Sequence, residues 1–232
     1  MHIRRLKSYQ AITPYAPSWD VPLGFAKWSE HDKIDTIRKF LIEKEKDILE
    51  LPFQTSGRTG LDKNSITTRY GNYHLFDFTE ECPELKDLLE WLREQWVRFI
   101  IKDNTQPYRK LVFTCWYNII RKGQEIKPHR HGAGSIVYLS GNMHLDNYET
   151  HTYYEHMEMT TSFPNVKGGL TFFPGHITHS VPKYDGDTPR VSLAFDISIN
   201  EPPGHPLQDG LEYRSFSDIE MCEKITKDLA NE

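Results

Sequence analysis

Three short segments decide how this chain is expected to fold: Lys-Pro-His-Arg-His at 127–131, Phe-Phe-Pro-Gly-His-Ile-Thr-His at 172–179 and Arg-Val-Ser at 190–192. The second and third lie in or beside runs of apolar and β-branched residues that predict strands, and the first is expected to be extended. Side chains two residues apart on a strand project to the same side, so the two histidines of the first segment point the same way. The chain between the segments is long enough to bring the last histidine of the second segment beside them. The pattern predicts a sheet that carries three histidines to one place.

His129, His131 and His179 are candidate metal ligands, because neutral imidazole commonly binds iron, zinc, copper and nickel. Arg190 and Ser192 are also two residues apart and share one face of a strand. A guanidinium binds a carboxylate with two parallel hydrogen bonds, and a hydroxyl can donate a third. The sequence therefore predicts a metal centre next to a carboxylate anchor.

Composition narrows the class of protein and its partners. The 232 residues suit one domain, with 38% hydrophobic residues to build a core. The net charge of −5 provides no overall basic field for nucleic acid or an anionic membrane, so neither partner is expected. Three cysteines without a Cys-x-x-Cys pair, and no N-terminal apolar run, predict a reduced cytoplasmic protein. The oligomeric state stays open, a homodimer being one option.

Periodicity predicts the order of the elements. Helices are expected from Glu30 to about Leu51, from about Pro83 to Ile101 and from about Ser217 to Leu229. Residues 66–78 alternate loosely and predict one or two strands, and residues 148–168 predict a lid, a hairpin or an insertion. Short strands without helices between them predict an antiparallel sandwich or small barrel. They are expected at 111–120, 135–139, 142–147, 169–173, 179–182 and 190–199. We expect a single domain, 1–232, in which an N-terminal region (1–108) packs on a core (109–200) that a C-terminal extension (201–232) follows.

The order of the motifs resembles the Fe(II)/2-oxoglutarate-dependent oxygenases. Within them it is similar to an oxygenase family of bacteria and of tailed phages of marine cyanobacteria. For a phage-encoded protein this resemblance implies the host cytoplasm as the location. That family shows Trp-x-Asn, a nearby Gly, His-x-His, a Tyr-bearing strand, Phe-Pro followed by His-x-Val, and Arg-x-Ser. The matching residues of this chain, within about 111–199, are Trp116, Asn118, Gly123, His129, His131, Tyr138, Phe173, Pro174, His179, Val181, Arg190 and Ser192.

The resemblance implies a fold and an activity. The fold is a mainly β double-stranded β-helix (a cupin-like jelly roll) with helices packed on one face. Fe(II) is implied at His129, His131 and His179, with no catalytic residue beyond this centre. The co-substrate 2-oxoglutarate is implied at Arg190 and Ser192, and O2 is the oxidant. The implied enzyme is a dioxygenase that hydroxylates an unactivated C–H bond of a peptide or small molecule and releases succinate and CO2.

Further contacts are expected around this centre. Asn118 and Tyr138 are expected to point from neighbouring strands toward the cavity and to bind the co-substrate. Candidate substrate contacts are Trp116 and, in the polar N-terminal region, Arg58, Asn64 and Arg69.

Two alternatives concern the ligand set. The usual facial triad has two histidines and one carboxylate, and the carboxylate stands at the position of His131. A rival ligand pair is therefore His144-Leu145-Asp146, a literal His-x-Asp. His176 could exchange roles with His179, although the family pattern favours His179.

Two alternatives concern the function. A cupin-like three-histidine enzyme would need no 2-oxoglutarate, and Arg190-x-Ser192 counts against it. A non-catalytic jelly-roll binding protein would have no use for the three histidines. The substrate stays open among peptide side chains, free amino acids and nucleobases, as does the choice between hydroxylation, desaturation and ring closure.

Overall fold

A computed structural model describes residues 1–53, 59–61, 63–105, 110–131, 137–199 and 211–230. These residues form eleven β-strands and three α-helices. The strands are β1 His2–Lys7, β2 Asp20–Lys27, β3 Lys110–Ile120, β4 Ile126–His129, β5 Val137–His144, β6 His151–His156, β7 Met159–Pro164, β8 Gly169–Phe173, β9 Thr178–Val181, β10 Arg190–Ile199 and β11 Arg214–Asp218. The helices are α1 His31–Leu49, α2 Glu84–Asp103 and α3 Ile219–Leu229.

The strands form two antiparallel sheets. The larger sheet has the order β1-β2-β8-β5-β10-β3-β11, and the smaller has the order β4-β9-β6-β7. The sheets pack face to face, since Leu23 of β2, Tyr154 of β6 and Ile177 share one apolar cluster. Strands distant in sequence are neighbours in space, as in a jelly roll. The predicted mainly β jelly-roll class is confirmed.

The helices cover one face of the larger sheet. Their buried stripes join a single core with β3, β5, β8 and β10, and Trp96 of α2 packs its ring 5.6 Å from Phe216 of β11. Strand β10 shows why the other face is free for a site. Its residues Val191, Leu193 and Phe195 are in the core, whereas the alternate residues turn away toward the smaller sheet.

The prediction of strands between residues 66 and 78 is wrong. The chain forms two 3-10 helices there, Ile66–Arg69 and Leu75–Glu80. Local side-chain hydrogen bonds favour these turns over a ladder: the Thr68 hydroxyl donates to the Ser65 carbonyl oxygen at 2.7 Å, and the His74 ring accepts from the backbone N–H of Phe76.

The other predicted elements need smaller corrections. Residues 148–168 contain the β6–β7 hairpin, one of the three structures expected for them. One strand, β5 Val137–His144, takes the place of the two strands predicted at 135–139 and 142–147. Residues 135 and 136 lie outside the described ones. Helix α3 is capped by the side chain of Asp218, one residue after Ser217.

No helix in the described ranges is long and apolar enough to cross a membrane. The division at 108/109 and 200/201 stays a prediction.

Candidate active site

The predicted histidines come together at the edge of the smaller sheet. His129 ends β4 and pairs with His179 of β9, and His131 is held two residues on because its N–H donates to the Gly175 carbonyl oxygen at 3.1 Å. One potential ligand atom of each ring lies within 4.8 Å of the others. This is the only group of three or more His, Cys, Asp or Glu residues in the described ranges that could hold a metal ion.

Hydrogen bonds fix the tautomer of each ring. The Nδ1 atom of His129 lies 2.9 Å from the Lys127 carbonyl oxygen, and that of His179 lies 3.3 Å from the Ile177 carbonyl oxygen. The Nδ1 atom of His131 lies 2.6 Å from Oδ1 of Asp196. Because carbonyl and carboxylate oxygens only accept, each Nδ1 carries the proton. Nε2 is therefore the nitrogen that each ring can offer to a metal.

The surroundings keep two of these rings neutral. Burial, reinforced by the neighbouring His131, lowers the pKa of His129 to about 4. Burial also holds the pKa of His179 well below its usual value, with His131 and His129 acting in the same direction. A metal ligand must be unprotonated, so these rings are ready to bind at neutral pH without losing a proton.

Arg190 is a buried cation beside the histidines. Only 1% of the residue is exposed, and burial lowers the pKa of its guanidinium to about 10, so it stays charged at neutral pH. Its Nη1 lies 3.4 Å from the Ser192 hydroxyl and its Nη2 lies 3.4 Å from Nδ1 of His144, while Nε has no hydrogen-bond partner. No carboxylate of the described residues pairs with it. A buried charge without a counterion is costly, so this position calls for an anion.

A single cavity of about 210 Å³ joins the histidine group to Arg190. Trp116 and Asn118 of β3 line it, as does Ser192, and the Trp116 ring lies 5.6 Å from that of His131. The Asn118 side-chain oxygen accepts a 2.6 Å hydrogen bond from Thr67. The structure thus brings seven of the predicted site residues to one cavity: His129, His131, His179, Arg190, Ser192, Asn118 and Trp116.

The prediction that Tyr138 points into the cavity is wrong. Strand β5 pairs with β10 through a bulge, where Ile197 is opposite Leu139 but Ser198 is opposite Val137. The extra residue is Tyr138, and a bulge breaks the alternation of side chains. Its ring packs against the core on the helix side, 6.5 Å from Trp96.

Two of the predicted substrate contacts of the N-terminal region, Arg69 and Asn64, also lie elsewhere. Arg69 is buried outside the cavity, where its guanidinium donates to the carbonyl oxygens of Leu49, Leu51 and Lys63. It ties a 3-10 helix to the end of α1. Asn64 is exposed and does not line the cavity. Arg58 lies outside the described residues.

The rival ligands are not at the histidine group. Asp146 has a 39% exposed side chain that lies 3.5 Å from the Arg38 guanidinium, and His144 is beside Arg190. His176 packs its ring 5.3 Å from His156 instead. The His-x-Asp pair at 144–146 and the exchange of His176 for His179 are therefore both contradicted.

Sequence reasoning missed other residues that line the cavity. Asp196 is the most prominent, because it contacts His131 directly. The alternation of β10 could have revealed it, since Arg190, Ser192, Ala194 and Asp196 fall on one face. Thr59, Thr67, Tyr70, Arg130, Asn142, His144 and Thr152 also line the cavity.

A jelly roll that brings a three-histidine group beside a buried arginine, unpaired among the described residues, is an arrangement that suits a metal-dependent enzyme. Residues 114–196 match the model of a family described as "Putative 2OG-Fe(II) oxygenase". This segment, little more than a third of the chain, is therefore similar to the 2OG-Fe(II) oxygenases, the group that the motifs resemble. No curated protein matches the chain.

Several solved structures are similar in fold. A prolyl hydroxylase from Trichoplax adhaerens, in complex with a hypoxia inducible factor peptide fragment, is 10% identical with a TM-score of 0.55, covering 76% of this chain and 83% of that chain. A Pseudomonas putida prolyl-4-hydroxylase is 10% identical with a TM-score of 0.52, covering 77% and 88%. AviO1 from Streptomyces viridochromogenes Tue57 is 13% identical with a TM-score of 0.52, covering 79% and 93%. At these identities the likeness shows the fold alone.

Proposed function

We propose that this protein is an Fe(II)- and 2-oxoglutarate-dependent dioxygenase that hydroxylates an unactivated C–H bond and releases succinate and CO2. One observation carries the proposal. The cavity that contains three imidazoles, two of which are kept neutral by burial, also contains Arg190, whose buried guanidinium pairs with no carboxylate of the described residues. A metal group and an anion site within one small cavity suit a co-substrate that has a metal-binding end and a carboxylate end.

The histidine group fits Fe(II). Imidazole is a good ligand for iron, and three histidine ligands would leave coordination positions for other ligands. His129, His131 and His179 would hold it through Nε2, since each Nδ1 donates to an oxygen. Bound iron would supply the redox chemistry with O2 that converts 2-oxoglutarate into succinate and CO2 and inserts the second oxygen atom into the substrate.

The Arg190 position fits the far carboxylate of 2-oxoglutarate. The planar guanidinium of Arg190 can donate two parallel hydrogen bonds to a carboxylate, and the Ser192 hydroxyl lies on the same face of β10. Because Arg190 is only 1% exposed, this pairing is favourable, since neither charge then remains buried alone. Asn118 is placed to donate a further hydrogen bond through its amide nitrogen, since its oxygen is engaged by Thr67.

The mouth of the cavity is the proposed place for substrate. Trp116 and Tyr70 form one wall with ring centroids 5.3 Å apart, and the exposed Arg130 lies at the rim. Aromatic walls bind apolar groups, and a guanidinium binds anionic ones. A peptide side chain, an amino acid or another small molecule could present a C–H bond there. The peptide in the similar Trichoplax adhaerens structure supports the first of these.

The cupin-like alternative makes a different prediction about Arg190. An enzyme that binds its substrate directly on the metal has no need of a second, buried anion site. A non-catalytic binding protein would need neither the metal nor the anion. Binding of Fe(II) and of 2-oxoglutarate therefore separates the three functions.

The test is an anaerobic titration of the apoprotein with Fe(II) and then with 2-oxoglutarate. The wild type should develop the visible metal-to-ligand charge-transfer band of the chelate. His179→Ala should abolish it. Arg190→Ala should require at least about 30-fold more 2-oxoglutarate, because losing one partner of a buried charge pair costs about 2 kcal/mol or more.

Arg121→Ala is the matched control, since Arg121 is half exposed and pairs with Glu45 on the surface. It should titrate like the wild type. Bound iron without a band would favour the cupin-like enzyme. A wild type that binds no iron would leave a jelly-roll binding protein.

A further inference from the structure

The histidine group has an electrostatic deficit. Two histidines and a carboxylate bring one negative charge to iron, whereas His129, His131 and His179 bring none. His131 stands where the carboxylate is expected. If nothing compensated, the site would hold a divalent cation less tightly, and the iron would be more electron-poor.

The three histidines differ in what accepts the proton on Nδ1. His129 and His179 donate to backbone carbonyl oxygens, which are neutral. His131 donates to the carboxylate of Asp196 over 2.6 Å, the short distance of a charge-assisted hydrogen bond. The carboxylate is thus connected to the one ring that replaces a carboxylate ligand.

Asp196 is itself held in place. It lies on β10 opposite Ser140 of β5, and the Ser140 hydroxyl donates to Oδ1 at 2.6 Å. Ser140 is fully buried, and the Asp196 side chain is 18% exposed. Both donors approach the same carboxylate oxygen, which fixes its direction toward His131. This arrangement is more ordered than a surface ion pair, because the backbones of both partners of Asp196 are held by hydrogen bonds of their own.

We propose that Asp196 supplies, through the Nδ1–H of His131, the negative charge that the three-histidine group lacks. It is a positioning residue, because it acts on the metal through another side chain. The hydrogen bond fixes the His131 ring with Nε2 toward the metal. The adjacent negative charge makes that Nε2 a stronger electron donor. In the proposed site the three histidines bind the metal, and the Asp196 carboxylate contacts the ligand His131 instead of the metal itself.

This inference rests on the metal part of the proposed function and adds a specific dependence to it. Partners that orient metal-bound histidines typically account for 10- to 100-fold in metal affinity. Asp196→Asn keeps the size and an acceptor oxygen for the His131 N–H but removes the charge. Fe(II) affinity, measured anaerobically by competition with a chromogenic chelator, should fall by about 10- to 100-fold.

Asp146→Asn is the matched control. It removes the same charge from a surface carboxylate that pairs with Arg38, so its iron affinity should stay within twofold of the wild type. A second readout separates an electronic effect from a structural one. In the Asp196→Asn protein saturated with Fe(II) and 2-oxoglutarate, the charge-transfer band should move to higher energy. An electron is harder to remove from iron when the nearby negative charge is gone.

The outcomes are distinct. Wild type that binds iron, with Asp196→Asn equal to Asp146→Asn in affinity and band position, would overturn this inference and leave the proposed function standing. Wild type that binds no iron would overturn both. If Asp196→Asn fails to fold, histidine ¹⁵N spectra of wild-type apoprotein decide. A single Nδ1–H form of His131 with a strongly downfield proton supports the inference, and a tautomer mixture overturns it.

Discussion

His129 of β4 and His179 of β9 are directly opposite each other across an antiparallel pair, with ring centroids 4.3 Å apart. The ladder between these strands is weak, because β4 has four residues and its register shifts between Ile126 and His129. A metal held by both rings would therefore link two strands that backbone hydrogen bonds connect poorly. The metal is expected to stabilise the smaller sheet as well as to provide the chemistry.

Metal binding should raise the thermal stability of the protein. A ligand that binds only the folded state adds about 2.7 kcal/mol when it is present at 100 times its Kd. We expect anaerobic Fe(II) to raise the Tm of the wild type and to leave that of His179→Ala unchanged. His176→Ala should keep the increase, because His176 packs against His156 outside the group. A similar increase in both variants would place the metal elsewhere.

The geometry of the Arg190 guanidinium should matter in addition to its charge. Arg190→Lys keeps a cation but loses the planar fork that binds a carboxylate with two hydrogen bonds. Its affinity for 2-oxoglutarate, measured through the charge-transfer band, should lie between those of the wild type and Arg190→Ala. Fe(II) affinity should not change, since Arg190 does not belong to the histidine group. Equal 2-oxoglutarate affinity in all three proteins would contradict the assigned anion site.

The predicted residues that meet in the cavity are placed there by short-range spacing along the chain. His129 with His131, and Arg190 with Ser192, share a face because alternate residues of an extended chain do so. The buried stripe of α2 follows in the same way from helical periodicity. These features are local, so the sequence alone determines them.

The wrong predictions concern side chains whose direction depends on one inserted residue or on a contact with a distant part of the chain. Tyr138 points to the helix side because β5 contains one extra residue, and no residue type in that strand predicts a bulge. Arg69 has a long side chain that reaches carbonyl oxygens at the end of α1. The partnership of Asp196 with His131 joins β10 to the residues after β4, which requires the relative placement of two sheets.

His144 should contribute to co-substrate binding without affecting the metal. It is buried, and its Nδ1 accepts from the Arg190 guanidinium at 3.4 Å, which orients the fork. Hydrogen bonds to charged groups contribute about 1.5–3 kcal/mol. His144→Phe, which keeps a ring, should raise the Kd for 2-oxoglutarate about tenfold or more. The exposed His151 provides the control His151→Phe, and a change in Fe(II) affinity would argue against this role.

His74 should make the stability of the apoprotein depend on pH. The residue is fully buried far from the histidine group. Its Nε2–H donates to the Phe113 carbonyl oxygen at 3.2 Å, and its Nδ1 accepts from the Phe76 N–H. Burial lowers the pKa of His74 to about 4. In the folded protein a second proton would have to bind Nδ1, where it would point at the Phe76 N–H.

The sign of the effect follows from linkage. Between about pH 6.5 and pH 4 the unfolded chain binds a proton at this histidine that the folded chain does not, so the free energy of unfolding decreases as pH falls through that window. The contribution of His74 to this loss at pH 4.5 is on the order of 2 kcal/mol. His74→Gln cannot take up the proton and should lose that much less stability between pH 7 and pH 4.5 in urea unfolding. The other buried histidines contribute equally to both proteins and cancel in the comparison. An unchanged pH dependence in His74→Gln, matching that of the exposed control His151→Gln, would show that His74 does not titrate on unfolding.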